Sequence, residues 1–268
     1  MRLYCPDLPD SGTIELRPEE FNYAKNVLRA KPMDEVLLFD ARGKEARGII
    51  IRLDRDRFSI QIKEISKNAG KESALDIRLL QGILKGQKMD FVIQKATELG
   101  VSEIRPLITG RTQVDIRMRE TRKLERWRKI GVEAARQCGR AVAPVMKEPM
   151  AFTDFFSPGP GPGGAGEPSE AQKGPGIIFW EKGGLGLKEL AKKRFFDFCE
   201  GQGSPVEGAE GRYIYLAVGP EGGFSEEEAA QASGNGFYLA SLGPRILRAE
   251  TAAIMAVGLV QFLMGDMG

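Results

Sequence analysis

The 268-residue chain contains no histidine. Every mechanism built on a histidine base or ligand is therefore excluded, including Ser-His-Asp hydrolysis and the HExxH zinc sites. Cysteine is scarce: Cys5, Cys138 and Cys199 lie far apart, with no CxxC spacing. Neither a disulfide framework nor a structural zinc site is expected from them, and no metal site is expected. No apolar run reaches the roughly 18 residues that span a bilayer, so no membrane partner is expected. The start, Met1-Arg2-Leu3-Tyr4-Cys5-Pro6, lacks the apolar stretch of a signal peptide, and a cytoplasmic location is expected. Hydrophobic residues make up 42% and charged residues 28%, ordinary for a globular protein of about two domains.

Net charge is small, +2, but it is unevenly spread. Residues 1–72 carry 14 Lys/Arg against 13 Asp/Glu, residues 73–148 carry 16 against 9, and residues 149–268 carry 9 against 15. The middle is thus +7 and the last part −6. A basic zone in a near-neutral chain has the form of a local polyanion footprint. It is densest from Arg105 to Arg140, with 11 basic and 4 acidic residues. Arg111, Arg122, Arg126 and Lys129 there, with Arg29 upstream, are candidate nucleic-acid contacts, to RNA or DNA on charge alone. The bland alternative is a solvated helix face.

Texture divides the chain at about residue 72. Before it, Val36-Leu37-Leu38-Phe39, Gly48-Ile49-Ile50-Ile51 and the alternating Phe58-Ser59-Ile60-Gln61-Ile62 read as short strands. Residues 19–29 allow one helix. This is a small β-rich module of barrel type. From 73 to 268 strands alternate with helices, the pattern of a parallel α/β domain. Met89, Val92, Ile93, Ala96 and Leu99 share one helical face, closed by Gly100. Residues 119–137 form a long basic helix with Leu124, Trp127, Ile130 and Ala134 inside. Residues 250–263 form a helix that is almost wholly apolar and needs cover on every side, which a homodimer interface would supply. Residues 157–176 hold 12 Gly or Pro in 20 and read as a flexible insertion.

Two segments carry the chemistry. Leu216-Ala217-Val218-Gly219-Pro220-Glu221-Gly222-Gly223-Phe224-Ser225 runs from a buried strand through a glycine-rich turn into a capped helix, the architecture of a ligand loop at the end of a parallel strand. It is neither GxGxxG nor GxxxxGK[ST]. Glu221 would repel a phosphate, and no lysine follows to neutralise one. The loop suits a ligand without phosphates, such as the adenosine and sulfonium of S-adenosylmethionine. Leu242-Gly243-Pro244-Arg245-Ile246-Leu247-Arg248 makes a second sharp turn before the apolar helix. The candidate ligand-binding residues are Phe179, Trp180, Val218, Gly219, Pro220, Glu221, Gly222, Gly223, Leu242, Gly243, Pro244, Ile246, Leu247 and Arg248.

These motifs, in this order, resemble the 16S rRNA uridine-N3 methyltransferases of the SPOUT (α/β-knot) superfamily along the whole chain. Val27-Leu28-Arg29, Asp34-Glu35-Val36 and Phe39-Asp40 are similar to the family's N-terminal PUA-like barrel. Lys95-Ala96-Thr97-Glu98-Leu99-Gly100-Val101, Arg126-Trp127, and Glu133-Ala134-Ala135-Arg136-Gln137-Cys138-Gly139-Arg140 resemble its following motifs. The two glycine-rich loops, with Glu250-Thr251-Ala252, resemble its cofactor loops. The sequence departs from the family in lacking a histidine near Asn22-Tyr23, in having Ala249 in place of threonine, and in the insertion.

The resemblance implies a PUA-like RNA-binding domain over 1–72 and a trefoil-knotted parallel sheet with flanking helices over 73–268. It also implies a homodimer, S-adenosylmethionine as cofactor with S-adenosylhomocysteine as product, and 16S rRNA in the small ribosomal subunit, not DNA, as partner. The implied target is uridine 1498. Methylation at uridine N3 needs help with the imide proton. Arg136, Arg140 and Arg248 are candidates to stabilise the uracil anion, and Glu221 or Glu250 to accept the proton or organise the loop. The rival readings are a SPOUT enzyme acting on another RNA and a non-catalytic RNA-binding protein. Intact glycines in both loops speak against the latter.

Overall fold

The computed structural model describes residues 1–40, 43–54, 57–67, 72–113, 120–157, 174–192 and 212–268. The chain divides into two compact units. The first is Met1–Glu72 with Val132–Ala143, and the second is Ser73–Gly131 with Pro144–Gly268. The linear reading divides the chain once, near 72. The structure also assigns the end of one helix and the turn after it to the first unit.

The first unit is built on a five-stranded sheet. Its strands are β1 (Arg2–Tyr4), β2 (Thr13–Glu15), β3 (Glu35–Phe39), β4 (Lys44–Leu53) and β5 (Phe58–Lys67), in the order β1-β3-β4-β5-β2. β1 runs parallel to β3, and the other pairs are antiparallel. Phe58, Ile60 and Ile62 are buried, as alternation requires. The helix expected over 19–29 is shorter and irregular. α1 (Pro18–Asn22) passes into a π-helical turn, Tyr23–Val27, and Arg29 and Met33 then take positive φ angles of 54° and 76°.

The second unit is an all-parallel sheet of eight strands. These are β6 (Leu75–Gly82), β7 (Glu103–Ile108), β8 (Val145–Met146), β9 (Met150–Ala151), β10 (Gly176–Phe179), β11 (Leu185–Gly186), β12 (Arg212–Val218) and β13 (Phe237–Ser241). The order is β11-β13-β10-β12-β6-β7-β8, with β9 also beside β7. The helices are α2 (Lys88–Glu98), α3 (Glu120–Cys138), α4 (Phe152–Phe156), α5 (Leu187–Lys192), α6 (Glu226–Gly234) and α7 (Ala249–Met264). Parallel strands need cover on both faces, and the period-2 alternation divides their side chains accordingly. Ile77, Leu79, Ile177, Ile214 and Leu216 join a core with Val92, Ile93, Trp127 and Val257. Leu80, Ile178, Tyr215 and Ala217 join an aromatic core with Phe152, Phe155, Phe156, Phe224 and Phe237.

Gly100, at φ +88°, ends the turn after α2. There the fully buried Gln261 of α7 donates to Leu99 O (3.0 Å) and accepts from the Ser73 hydroxyl (3.0 Å). α7 is not covered all round within the chain. Ala253, Ala256, Val257 and Val260 are buried, while Met255, Phe262 and Leu263 are exposed. Among the described residues no helix is long and apolar enough to cross a membrane. The insertion expected over 157–176 lies, between 158 and 173, outside the described residues.

Candidate active site

Three neighbouring strands, β13, β10 and β12, end together, and the chain leaves each in a tight turn. The turns after β12 and β13 enclose a cavity of about 760 Å³ at the carboxyl ends of the strands, where open α/β sheets place their ligands. That volume is typical of a small-molecule site. All fourteen candidate ligand-binding residues line it: Phe179, Trp180, Val218, Gly219, Pro220, Glu221, Gly222, Gly223, Leu242, Gly243, Pro244, Ile246, Leu247 and Arg248. So does Glu250. Lys88, Glu181, Ser241 and Arg245 also line it and were not among those candidates.

The first loop is fixed from three sides. From below, the side-chain amide of Gln81, at the end of β6, donates to Gly82 O at 2.9 Å and lies 3.4 Å from both Val218 O and Gly219 O. Next to it Gly82 has no room for a side chain, because a Cβ there would lie 2.4 Å from Pro220 N. From the helix side, Ser225 caps α6 in a capping box with Glu228. The other oxygen of Glu228 accepts from Gly110 N at 2.8 Å. From the flank, Arg111 donates to Gly222 O at 2.8 Å. Arg111, expected to contact RNA, is thus committed to this loop. Gly223 sits at φ +67°, and a Cβ there would strike the Glu181 carboxylate at 2.6 Å.

Two polar atoms of residues in the wall, the Trp180 indole Nε1 and Glu250 Oε2, are buried and make no hydrogen bond among the described residues; the Lys88 ammonium stands 3.9 Å from Oε2. Glu221 differs. Its Oε1 accepts from Lys85 N (3.1 Å) and from the Lys88 ammonium (3.2 Å). Partial burial would raise this carboxyl, but hydrogen bonds from backbone N–H groups and from Lys88 outweigh it and hold the group below its ordinary value. Through these bonds Glu221 ties the loop after β12 to Lys85 and Lys88.

Sequence comparison then decides the family. Residues 71–261 match the model of an RNA methyltransferase domain, and residues 16–63 that of an RNA methyltransferase PUA domain. The chain belongs to the RNA methyltransferase family. A member from Buchnera aphidicola, a ribosomal RNA small subunit methyltransferase E, is 33% identical over 99% of this chain and 94% of its own length. The protein of the same name from Neisseria gonorrhoeae, solved bound to S-adenosyl methionine, is 30% identical. It superimposes with a TM-score of 0.79 over 100% of this chain and 99% of its own. A Legionella pneumophila protein solved with the cofactor SAM is 33% identical with a TM-score of 0.81, over 99% and 98% of the two chains.

Arg136 and Arg140, candidates to stabilise charge on the base, are placed differently from that expectation. Neither lines the cavity, and both are buried in the first unit. Arg136 pairs with Glu20 at 2.7 Å and Glu133 at 3.2 Å and lies over the Tyr23 ring. Arg140 grips Glu72 at 2.8 Å, while the other Glu72 oxygen accepts from the backbone N–H of Ala141 and Val142. Buried, desolvated guanidiniums need such partners. These pairs tie 132–143 to Glu20 and Glu72 within the first unit. Among the expected RNA contacts, Arg29, Arg122 and Lys129 are exposed. Arg126 is exposed but paired with Asp90 at 2.6 Å.

Proposed function

We propose that the chain transfers the methyl group of S-adenosylmethionine to N3 of a uridine in the 16S rRNA of the small ribosomal subunit. The observation that carries this reading is the cavity at the strand ends, in a chain that belongs to the RNA methyltransferase family over 71–261. The wall suits the cofactor. Gly82 lets the loop after β12 pass close over β6, and Gly223 keeps a side chain off the Glu181 carboxylate. Trp180 and Glu250 bring a donor and an acceptor that make no hydrogen bond among the described residues, and Glu181, Glu221 and Glu250 stand in the lining with Lys88, Arg245 and Arg248. The carboxylates suit a sulfonium, and the apolar side chains and loop backbone suit an adenosine. When bound, S-adenosylmethionine supplies an electrophilic methyl group.

The chain's own residues supply the rest. Glu250, whose side chain lines the cavity, is the acceptor for the imide proton. The exposed Arg248 at the cavity mouth stabilises the developing uracil anion. The choice of uracil N3, at uridine 1498, rests on the sequence resemblance. The PUA domain and the basic residues of α3 hold the RNA by its phosphates. The exposed apolar stripe of α7, Met255 and Phe262 with the half-buried Leu259, supports a homodimer. A cytoplasmic location follows from the substrate. The test is methyl transfer from labelled S-adenosylmethionine to isolated small subunits. Label in 3-methyluridine supports the reading, and label in ribose or in no nucleoside contradicts it.

A further inference from the structure

Lys88 opens α2, and its ammonium meets both turns of the site. Nζ lies 3.2 Å from Glu221 Oε1, in the loop after β12, and 3.9 Å from Glu250 Oε2, in the first turn of α7. All three side chains line the cavity. Glu250 is largely buried, with its side chain 15% exposed, and Oε2 has no hydrogen bond among the described residues. The Lys88 ammonium is therefore its compensating charge among the described residues. Without Lys88, two carboxylates that now share one cation would face each other across the wall.

We infer that Lys88 is a positioning residue that clasps the two loops and sets the charge of the wall, and so the balance between charged methyl donor and product. This rests on the proposed function. Around the cavity stand Lys88, Arg245 and Arg248 against Glu181, Glu221 and Glu250, three charges of each sign. S-adenosylmethionine carries one positive charge more than S-adenosylhomocysteine, at sulfur, and otherwise differs only by the methyl group. Removing the Lys88 ammonium makes the wall one unit more negative and favours the sulfonium. Removing the Glu250 charge does the reverse. In a partly solvated site, one unit of charge on the wall changes the ratio of the two affinities by about 3- to 10-fold. A residue that only supported the loops would change both affinities alike.

The test is calorimetry of the full chain with each ligand, for wild type, Lys88→Met, Lys88→Arg and Glu250→Gln, with melting temperature as the check on folding. The ratio of the Kd for S-adenosylhomocysteine to that for S-adenosylmethionine should rise about 3- to 10-fold in Lys88→Met. It should return toward wild type in Lys88→Arg and fall in Glu250→Gln. If Lys88→Met does not fold, the fall in Glu250→Gln and the unchanged ratio in Lys88→Arg carry the test. An unchanged ratio in Lys88→Met and Glu250→Gln, or a shift of the same sign in both, overturns the inference while leaving the cavity as the cofactor site. A wild-type chain that binds neither ligand overturns the reading of the cavity and the inference with it.

Discussion

Gly82 ends β6 at the point where the loop after β12 crosses it. A Cβ there would lie 2.4 Å from Pro220 N and 2.8 Å from Gly219 C, both backbone atoms that no rotamer change can move away. Gly82→Ala must therefore displace the loop. Overpacking of this kind costs about 1–3 kcal/mol. The expected outcome is a loss of S-adenosylmethionine affinity of about tenfold or more in calorimetry, with a lowered melting temperature. Unchanged affinity would show that the loop is not seated on β6. The sequence exposes the loop glycines because they follow buried strands in tight turns. It does not expose Gly82, Gln81 or Lys88, whose partners lie more than 130 residues away. The same limit explains Arg136 and Arg140. Their charge is plain in the sequence, but their neutralisation by Glu20 and Glu72 is a tertiary fact.

Among the elements, α3 carries the test of RNA binding. Leu124 and Trp127 turn inward, as the 3.6-residue period requires, and Arg122, Arg126 and Lys129 are exposed. Arg126 already holds Asp90 through Nη2 at 2.6 Å and Nε at 3.1 Å. Its contribution to a phosphate contact is reduced by that pair. Arg122→Ala is expected to weaken RNA binding and flatten the dependence of log K on log salt by about 0.9. Arg126→Ala should do less, and Asp90→Asn, which releases Arg126, should tighten binding and steepen the slope. Equilibrium binding across a salt series checks this. Equal losses at Arg122 and Arg126, with no gain in Asp90→Asn, would contradict it. The long elements, α2, α3, β6, β12 and α7, are legible because each is long enough to show a period. β8, β9 and β11 have two residues each and show none. The π-helical turn at Tyr23–Val27 is a backbone choice that no side-chain pattern announces.

For the whole molecule, a parallel α/β domain behind a small β-rich one is readable from the change of texture near residue 72. The allotment of Val132–Ala143 to the first unit is not, because α3 runs through the boundary without a break in its pattern. The apolar character of α7 is equally plain in the sequence, but only the structure shows which side remains open. Met255 and Phe262 on that side lead to the expectation of a dimer. Sedimentation at micromolar concentration should give twice the chain mass, and Phe262→Glu should shift it toward the monomer. A wild-type monomer would contradict the homodimer. The proposed transfer to uridine N3 is tested by nucleoside mass spectrometry of small-subunit RNA from cells lacking the protein. 3-Methyluridine should be lost there, restored by the wild-type chain and reduced in level with Gly82→Ala. Undiminished 3-methyluridine, with some other methylated nucleoside missing instead, would contradict it.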